Sequence, residues 1–549
     1  MNRRLFIKSA GAGTAVSLCT GSLGATMLAT SNSVSNQKDD ADEQILFIGD
    51  DIAVANTQYG KVKGFIFNRV YTFLGIPYGA DTSGKNRFMP PQAPEPWSNI
   101  RPAVFYGDSA AQDIFNRWPN RYGTFVDHWN YFDFSENCLM INVWTTGLAD
   151  GKKRPVLVWL HGGGYDRGNG IEQDGYHGEN LSKYGDMVFC SINHRLGAFG
   201  YSDFSGVGGE KYRDSGNVSL LDIIAALRWI NTNIANFGGD PGNVTIMGQS
   251  GGGGKVCSIA AMPAARNLIH KAVSLSGSSI EARNRETNQR LGSDILREAG
   301  LRESEVDKLQ DIPWQDYLAL ANSASAKLNL DNPRLAFVPV ADGVNLPTGI
   351  YYSGQQGVPD IPMLICSTFD ERTPSREDAA LEQISLDGVV ARLHDRYGDK
   401  AASIVAAYGK DFPDARPIEL WSLILSNRQG TMRIANAKLK QNSPVYVAWY
   451  GWQPPLFDNR MRAFHCNDIC FWFLNTDRMF THTGGGVRPR KLSCKMADAL
   501  LAFMRTGDPN TPALPQWPKY TEAIGETMIL NDQCEVKNSP DRNGLAALG

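Results

Sequence analysis

Continuous apolar segments alternate along the chain with segments whose apolar residues follow helical spacing. The segment 155–160 is apolar throughout and 187–192 is apolar except for Ser191, as expected for strands that are covered on both faces. Between 220 and 237 the apolar residues have the spacing of a helix, which Gly238-Gly239 ends. Further strands are predicted at 244–247, 272–275, 362–366 and 445–449. This alternation predicts an α/β protein with a mostly parallel sheet flanked by helices.

No long linker, repeat or low-complexity tract interrupts the chain after residue 47. We therefore predict a single domain over residues 44–549, although the length alone would allow two or more. The segment 281–360 is more helical, polar and irregular than its surroundings. It predicts helical insertions over the C-terminal edge of the sheet.

The overall composition is that of an ordinary globular protein, with 42% hydrophobic residues, 20% charged residues and a formal net charge of -3. A polyanion requires a basic surface, so we expect neither nucleic acid nor an anionic membrane surface as a partner. No internal apolar run has the length of a bilayer span, and we expect no stable membrane anchor in the mature protein.

The N-terminal segment differs from the rest of the chain in its sequence pattern. Arg3-Arg4-Leu5-Phe6-Ile7-Lys8 resembles a twin-arginine export signal, and a weakly apolar stretch follows it to about residue 29. The competing interpretation is the basic start of a short buried helix. The paired arginines together with the apolar stretch favour export. We predict that residues 1–43 are a signal with a polar linker and that the protein is periplasmic or secreted.

The nine cysteines are too few for a disulfide scaffold in a chain of this length. Cys466 and Cys470 lie four positions apart, without histidine and acid partners at ligand spacing. This spacing predicts a local disulfide or buried thiols rather than a metal site. We expect neither a metal nor a cofactor.

The stretch MGQSGGGGKV at 247–256 allows two interpretations. A phosphate-binding loop needs a glycine where Gln249 stands and a hydroxyl side chain where Val256 stands, so that pattern fails twice. The alternative is a G-x-S-x-G nucleophile elbow centred on Ser250. A serine on a tight strand-to-helix turn needs glycines two positions to either side, because side chains there would collide. The predicted strand before the motif favours the elbow.

An elbow also needs an oxyanion hole. His161-Gly162-Gly163-Gly164-Tyr165 follows the predicted strand 155–160, where a hydrolase sheet supplies its second donor. Glycines let backbone N–H groups approach a developing oxyanion without interference from a side chain. A glycine run alone would predict a flexible turn, but its position after a buried strand favours the catalytic interpretation.

Motifs over nearly the whole chain resemble those of the type-B carboxylesterases, a family that includes cholinesterases, mammalian carboxylesterases and bacterial para-nitrobenzyl esterases. In chain order they are FLGIPY at 73–78, RF at 87–88, SENCL at 135–139, NVW at 142–144, NHRLG at 193–197, GNV at 216–218, LD at 221–222, NI at 233–234, FGGDP at 237–241, VT at 244–245, GDPN at 507–510 and WPKY at 517–520. The resemblance implies an α/β-hydrolase fold with a triad of serine, glutamate and histidine in that chain order.

The resemblance also implies which acid and which histidine complete the triad. The acid motif of the family matches Thr368-Phe369-Asp370-Glu371, which points to Glu371. Asp370 stays a rival, because residue type alone does not choose between adjacent carboxylates. The histidine loop of the family matches His465-Cys466-Asn467-Asp468, which points to His465. Ordinary structural roles are expected for the other histidines after the elbow, which are His270, His394 and His482.

The implied reaction is acyl transfer through an acyl-enzyme. His465 takes the proton of Ser250, whose oxygen attacks an ester carbonyl, while Glu371 orients the imidazole. A small-molecule ester is the expected substrate. The oxyanion would be held by three backbone N–H groups, those of Gly163, Gly164 and Gly251.

Two alternatives to ester hydrolysis stay open. The same machinery would serve amide, lactone, carbamate or thioester bonds, since the triad activates the serine for each of them. A non-catalytic, cholinesterase-like binding protein would share the fold but would lose triad members. All three members are present in this sequence.

The elbow departs from the usual GESAG of the family at Gln249 and Gly251, and neither change removes a catalytic group. Tyr165, Tyr176, Gln249 and Phe369 lie near the motifs and are candidates for the walls of the substrate pocket. An aromatic residue at these positions would serve equally in core packing.

Two further family features bear on structure alone. Cys138 matches a family disulfide position, but Ala111 stands where its partner would be, so the resemblance implies that this bridge is absent. Arg87 and Glu136 match a family ion pair, whose role would be structural.

Overall fold

The computed structural model describes residues 44–113, 125–126, 130–328, 330, 335–354 and 356–549. Residues 45–549 form one compact unit. The predicted export segment, 1–43, lies outside the described residues.

The centre of this unit is a twelve-stranded sheet. Its strands, numbered along the chain, are Leu46–Phe47 (β1), Phe65–Phe67 (β2), Val70–Pro77 (β3), Met140–Thr145 (β4), Arg154–Leu160 (β5), Val188–Ile192 (β6), Gly239–Gln249 (β7), Lys271–Leu275 (β8), Met363–Thr368 (β9), Val445–Tyr450 (β10), Glu526–Leu530 (β11) and Glu535–Asn538 (β12). Their spatial order is β1-β2-β3-β4-β6-β5-β7-β8-β9-β10-β11-β12.

The strands from β6 to β11 in this order are parallel to one another. The strands outside them pair antiparallel at both edges. The mostly parallel sheet predicted from the sequence is therefore confirmed, with β7 beginning five residues earlier than predicted. Because parallel strands end at the same edge, the residues that follow β5, β7, β9 and β10 can meet there.

Helices cover the sheet. The described α-helices of seven residues or more are Glu179–Gly185 (α1), Val218–Asn233 (α2), Gly251–Ile259 (α3), Arg285–Glu298 (α4), Trp314–Ala326 (α5), Leu386–Tyr397 (α6), Ala401–Asp411 (α7), Pro417–Ile424 (α8), Arg428–Lys438 (α9), Val487–Thr506 (α10) and Arg542–Leu548 (α11). Helices α4 and α5 lie in the segment 281–360, which was predicted to be helical.

The sheet separates two apolar layers. The side chains of β5 alternate between them, as strand geometry requires. Val156 and Val158 pack in the layer that contains α2, whereas Leu157 and Trp159 pack in the layer that contains α10. Each such fully buried side chain stabilises the fold by roughly 1.5–3 kcal/mol. This double burial explains why residues 155–160 of β5 are all apolar.

Helix α2 differs from the expectation that no internal segment has the length and apolar character of a bilayer span. With its flanking turns it covers Ser215–Phe237, and by length and composition it could cross a membrane. Its mean hydropathy reaches 1.2 although polar residues interrupt the apolar run. However, 67% of its most apolar window is buried inside the protein. We assign α2 to the core.

Candidate active site

Ser250 lies at the sharp turn between β7 and α3. Its backbone has φ 58° and ψ −123°, a conformation that residues with a side chain rarely adopt. The Ser250 N–H donates to the carbonyl of Leu275 (2.8 Å), and its own carbonyl accepts from the N–H of Gly254 (3.0 Å). The turn thus has the strand-to-helix geometry that the G-x-S-x-G motif predicts, and two backbone hydrogen bonds hold the strained residue.

Gly248 and Gly252 make this turn sterically possible. A Cβ at Gly248 would lie 2.5 Å from the backbone of Gly252. A Cβ at Gly252 would lie 2.0 Å from the carbonyl oxygen of Leu160. Any side chain at either position would force the backbone apart, which is the physical requirement behind the motif.

The remaining glycines of the run also lie in close contact with neighbouring segments. A Cβ at Gly251 would lie 1.9 Å from the carbonyl oxygen of Gly164, in the loop 161–164, which we call the oxyanion loop. A Cβ at Gly253 would lie 2.6 Å from a carbonyl oxygen at the end of β8. The first turn of α3 therefore packs directly on the backbone of its neighbours, and this explains the glycines in a helix that they would otherwise disfavour.

Replacing Gly251 with alanine is expected to lower kcat for a small ester by about a hundredfold, because the new methyl group would displace the oxyanion loop. The measurement is steady-state hydrolysis of para-nitrophenyl acetate by the purified variant. The matched control is Gly409→Ala in α7, where a Cβ would lie 4.0 Å from Cδ1 of Leu420, an ordinary contact distance. Wild-type kcat in the Gly251→Ala protein would contradict this packing argument.

Glu371 and His465 lie on two loops that pair with each other. Glu371 closely follows β9, and His465 follows β10 after a longer loop. The Asp370 N–H donates to the carbonyl of Ala463 (3.1 Å), and the Ala463 N–H donates to Asp370 Oδ2 (3.1 Å). Asp370 also forms a parallel β-bridge with Phe464. Asp370 therefore holds the histidine loop in place.

The carboxylate of Glu371 reaches the imidazole. Its Oε2 accepts a short hydrogen bond from Nδ1 of His465. Its Oε1 accepts from Ser276 Oγ (2.5 Å) and from the Thr368 N–H (3.0 Å). Of the two adjacent carboxylates that the sequence left as rivals, Glu371 is the one in contact with the histidine.

The contact between Glu371 and His465 controls the protonation of both side chains. Burial alone would raise the pKa of Glu371, but the charge of His465 and the hydrogen bonds to the carboxylate hold that pKa below its ordinary value. Burial alone would lower the pKa of His465, but the adjacent Cys466 and the Glu371 carboxylate raise it well above its ordinary value. The arrangement favours an ionised glutamate and an imidazole that accepts a proton readily.

One cavity of about 630 Å³ contains the predicted catalytic side chains, Ser250, Glu371 and His465. Gly163 and Gly164 line the same cavity, and Gly251 packs against Gly164. The wall also carries charged side chains of both signs, which are Glu172, Glu377, Arg372 and Arg376. The structure thus brings together the residues predicted for catalysis, in a cavity without a single dominant charge.

The four predicted wall residues divide into two groups. Tyr176 and Gln249 line the catalytic cavity. Tyr165 lies instead in the wall of a neighbouring cavity of about 780 Å³. The ring of Phe369 packs on the ring of Trp449, with 4.1 Å between their centroids. Phe369 therefore has the core-packing role that the sequence left open.

Sequence reasoning missed several partners of the triad. Gln249 Nε2 lies 3.3 Å from both ring nitrogens of His465, and Gln249 Oε1 accepts from the Cys466 thiol (3.2 Å). Ser276, which bonds Glu371, was not predicted either. These partners are 95 to 217 positions apart along the chain, so no local signal marks them.

The other features predicted from the family resemblance are structural. Arg87 and Glu136 form a buried bidentate ion pair, with distances of 2.6 and 2.5 Å. Cys138 is a free thiol, as the resemblance implies when residue 111 is not cysteine.

The remaining described cysteines and histidines have structural surroundings. Cys466 and Cys470 are not joined by a disulfide, so the local bridge considered from their spacing does not form. In the part of the chain that the structure describes, no group of histidine, cysteine and acidic side chains could hold a metal ion. His270 accepts from the Val244 N–H (3.1 Å), and His482 contacts the Val126 carbonyl (3.1 Å).

Comparison with known proteins identifies a family that matches most of the chain. Residues 51–547 match the model of the carboxylesterase family. A para-nitrobenzyl esterase of Bacillus subtilis (strain 168) is 32% identical over 507 residues, covering 89% of this chain and 96% of that protein. A phenmedipham hydrolase of Pseudarthrobacter oxydans is 32% identical over 504 residues, covering 87% of this chain and 95% of that protein.

Solved structures of similar proteins have the same fold as this chain. An esterase of Clostridium hathewayi that can hydrolyse aliphatic aromatic polyesters has a TM-score of 0.76 and 31% identity, covering 91% of this chain and 98% of that chain. A carboxylesterase of Geobacillus stearothermophilus has a TM-score of 0.74 and 30% identity, covering 90% of this chain and 100% of that chain. The topology of the sheet, the turn at Ser250 and the sequence similarity all indicate the same family. The chain belongs to the carboxylesterase family, which has the α/β-hydrolase fold.

Proposed function

We propose that this protein is a serine hydrolase that cleaves small-molecule carboxylic esters through a triad of Ser250, Glu371 and His465. The observation that carries the proposal is the contact of the Glu371 carboxylate with His465 Nδ1, in the cavity that Ser250 also lines. A carboxylate on Nδ1 fixes the imidazole so that its Nε2 can serve as the general base.

The first half of the reaction forms an acyl-enzyme. His465 Nε2 accepts the proton of the Ser250 hydroxyl as its oxygen bonds to the ester carbonyl carbon. The carbonyl oxygen becomes an oxyanion, and the imidazolium is stabilised by the Glu371 carboxylate. Collapse of the tetrahedral intermediate breaks the bond to the alcohol oxygen, which receives the proton from His465.

The second half of the reaction uses the same groups. His465 removes a proton from water, whose oxygen attacks the acyl carbon. Collapse of the second intermediate returns the proton to Ser250 and releases the carboxylic acid. In both halves the oxyanion is held by donors that the fold presents before the substrate binds, which is usually the largest single contribution to such catalysis. The proposed donors are the N–H groups of Gly163, Gly164 and Gly251.

The experiment that tests this function is hydrolysis of para-nitrophenyl acetate by the purified protein. Turnover with release of para-nitrophenol supports the proposal, and its absence supports a binding protein without catalysis. A panel of esters that differ in acyl and alcohol length, with amide, lactone, carbamate and thioester analogues, then identifies the preferred bond. A preference for one of these analogues over every ester would replace the carboxylic ester as the substrate class.

We also propose that the protein is exported to the periplasm or secreted, on the basis of the pattern Arg3-Arg4-Leu5-Phe6-Ile7-Lys8. Replacing Arg3 and Arg4 together with lysine is expected to leave the precursor in the cytoplasm, because a twin-arginine signal is read through the arginine pair. The measurement is esterase activity and immunoblotting of cell fractions. Unchanged export of the double variant would contradict a twin-arginine signal.

A further inference from the structure

A cluster of three basic side chains, His161, His194 and Lys255, lies behind the oxyanion loop, and we call it the buried basic cluster. All three side chains are buried. The two imidazole rings stack with centroids 4.8 Å apart and an angle of 14° between their planes. Lys255 Nζ donates to the carbonyl oxygen of His161 (3.1 Å). The proposed mechanism uses none of these three side chains.

The two histidines of the cluster are neutral. His161 Nδ1 faces the carbonyl of Gly162 (3.0 Å), and His194 Nδ1 faces the carbonyl of Arg195 (2.9 Å). A carbonyl only accepts, so each Nδ1 carries the proton. Burial and the charge of Lys255 hold the pKa of both rings well below their ordinary value. Lys255 is therefore the only side chain of the cluster that can supply a positive charge.

The ammonium of Lys255 has little compensation. No salt bridge to it forms among the residues that the structure describes. Burial lowers the pKa of Lys255 to about 7, although the charges of Glu172 and Asp166 act in the opposite direction. A buried charge without an ion-pair partner destabilises a protein, and such groups are concentrated at functional sites.

The hydrogen bonds of the cluster fix two consecutive peptide groups of the oxyanion loop. A trans peptide points its C=O and its N–H in opposite directions. His161 Nδ1 holds the Gly162 carbonyl, so the Gly163 N–H of the same peptide points away from the cluster. Lys255 holds the His161 carbonyl and orients the Gly162 N–H in the same manner. Both glycines line the catalytic cavity.

We propose that Lys255 is a positioning residue of the oxyanion hole, which fixes the His161 peptide and places a positive charge behind the oxyanion loop. The inference rests on the proposed ester hydrolysis and deepens it. A fixed positive charge in a water-excluded site stabilises an oxyanion more than it would in water. The effect is therefore on the chemical step and not on binding of the neutral ester.

The test is Lys255→Met in the full-length protein, which keeps the length of the side chain and removes its charge. We expect kcat for para-nitrophenyl acetate, measured below about pH 7, to fall about tenfold with little change in KM, a smaller loss than that of a direct donor. The matched control is Lys438→Met, because Lys438 is a second fully buried lysine and does not line the catalytic cavity. The control is expected to keep the wild-type kcat.

The pH dependence distinguishes a charge effect from a structural role. The protonated form of Lys255 is the more active one, so its advantage is present below about pH 7 and disappears as pH rises through that pKa. The ratio of wild-type to Lys255→Met kcat should therefore decline towards one at alkaline pH. Taking the ratio largely cancels the titration of His465, which both proteins share.

Each outcome decides the proposal. Wild-type kcat in Lys255→Met, or a kcat ratio independent of pH, would overturn it. Lys255→Gln is the second neutral variant, and failure of both neutral proteins to fold would assign Lys255 to stability and overturn it too. None of these results bears on the proposed function, which is tested separately by hydrolysis of esters by the wild-type protein.

Discussion

Ser250→Ala is expected to lower kcat for para-nitrophenyl acetate by at least about 10⁵-fold, the largest effect of any single change in this protein. The substitution removes the oxygen that attacks the carbonyl and leaves the backbone of the turn in place. Ser276, whose hydroxyl also contacts the Glu371–His465 couple, is not a substitute nucleophile, because it donates its hydrogen bond to Glu371 and does not line the cavity. The measurement is hydrolysis by purified protein over hours.

The matched control is Ser403→Ala, which removes an exposed serine hydroxyl on α7. It is expected to retain the wild-type rate. Circular dichroism and thermal unfolding of both variants establish that neither change disrupts the fold. Substantial activity in Ser250→Ala would exclude Ser250 as the nucleophile and with it the proposed mechanism.

Glu371→Gln is expected to lower kcat by roughly 10⁴-fold, because the amide lacks the charge that stabilises the imidazolium and fixes its tautomer. Since the carboxylate raises the pKa of His465, its loss should also move the acid limb of the kcat/KM profile to lower pH. The measurement is a pH–rate profile of the variant beside that of the wild-type protein.

Asp370→Asn is the matched comparison for the glutamate. Burial raises the pKa of Asp370 to about 6, and its Oδ2 accepts from the Ala463 N–H, a bond that an asparagine oxygen can keep. We expect this variant to lose far less activity than Glu371→Gln. The reverse order of effects would make Asp370 the acid of the triad.

Local patterns predicted much of the fold and the site. The strands β5 and β6 are almost entirely apolar because both of their faces are buried, and this makes them visible in the sequence. The elbow at Ser250 was predictable for a similar reason, since its steric requirement acts on residues only two positions away. The acid and the histidine of the proposed triad were then predicted through motifs that the family resemblance supplied.

The features that could not be predicted from the sequence depend on contacts between segments that are distant along the chain. The choice between Asp370 and Glu371 follows from the pairing of Asp370 with Ala463, which lies 93 positions later. The environment of Lys255 follows from the packing of α3 on the end of β5, which no local pattern encodes. Tyr165 shows the same limit, because its position beside the motif did not place it in the catalytic cavity.

The glycine-packed first turn of α3 has a consequence for engineering a more heat-resistant protein. Glycine-to-alanine changes inside helices are a standard means of stabilisation, worth up to about 1 kcal/mol each. At Gly251 and Gly253 that gain is unavailable, because the position of the new methyl group is already occupied by the backbone of another segment. Helix α3, which propensity scales would mark as weak, is thus one whose glycines such a programme must leave unchanged.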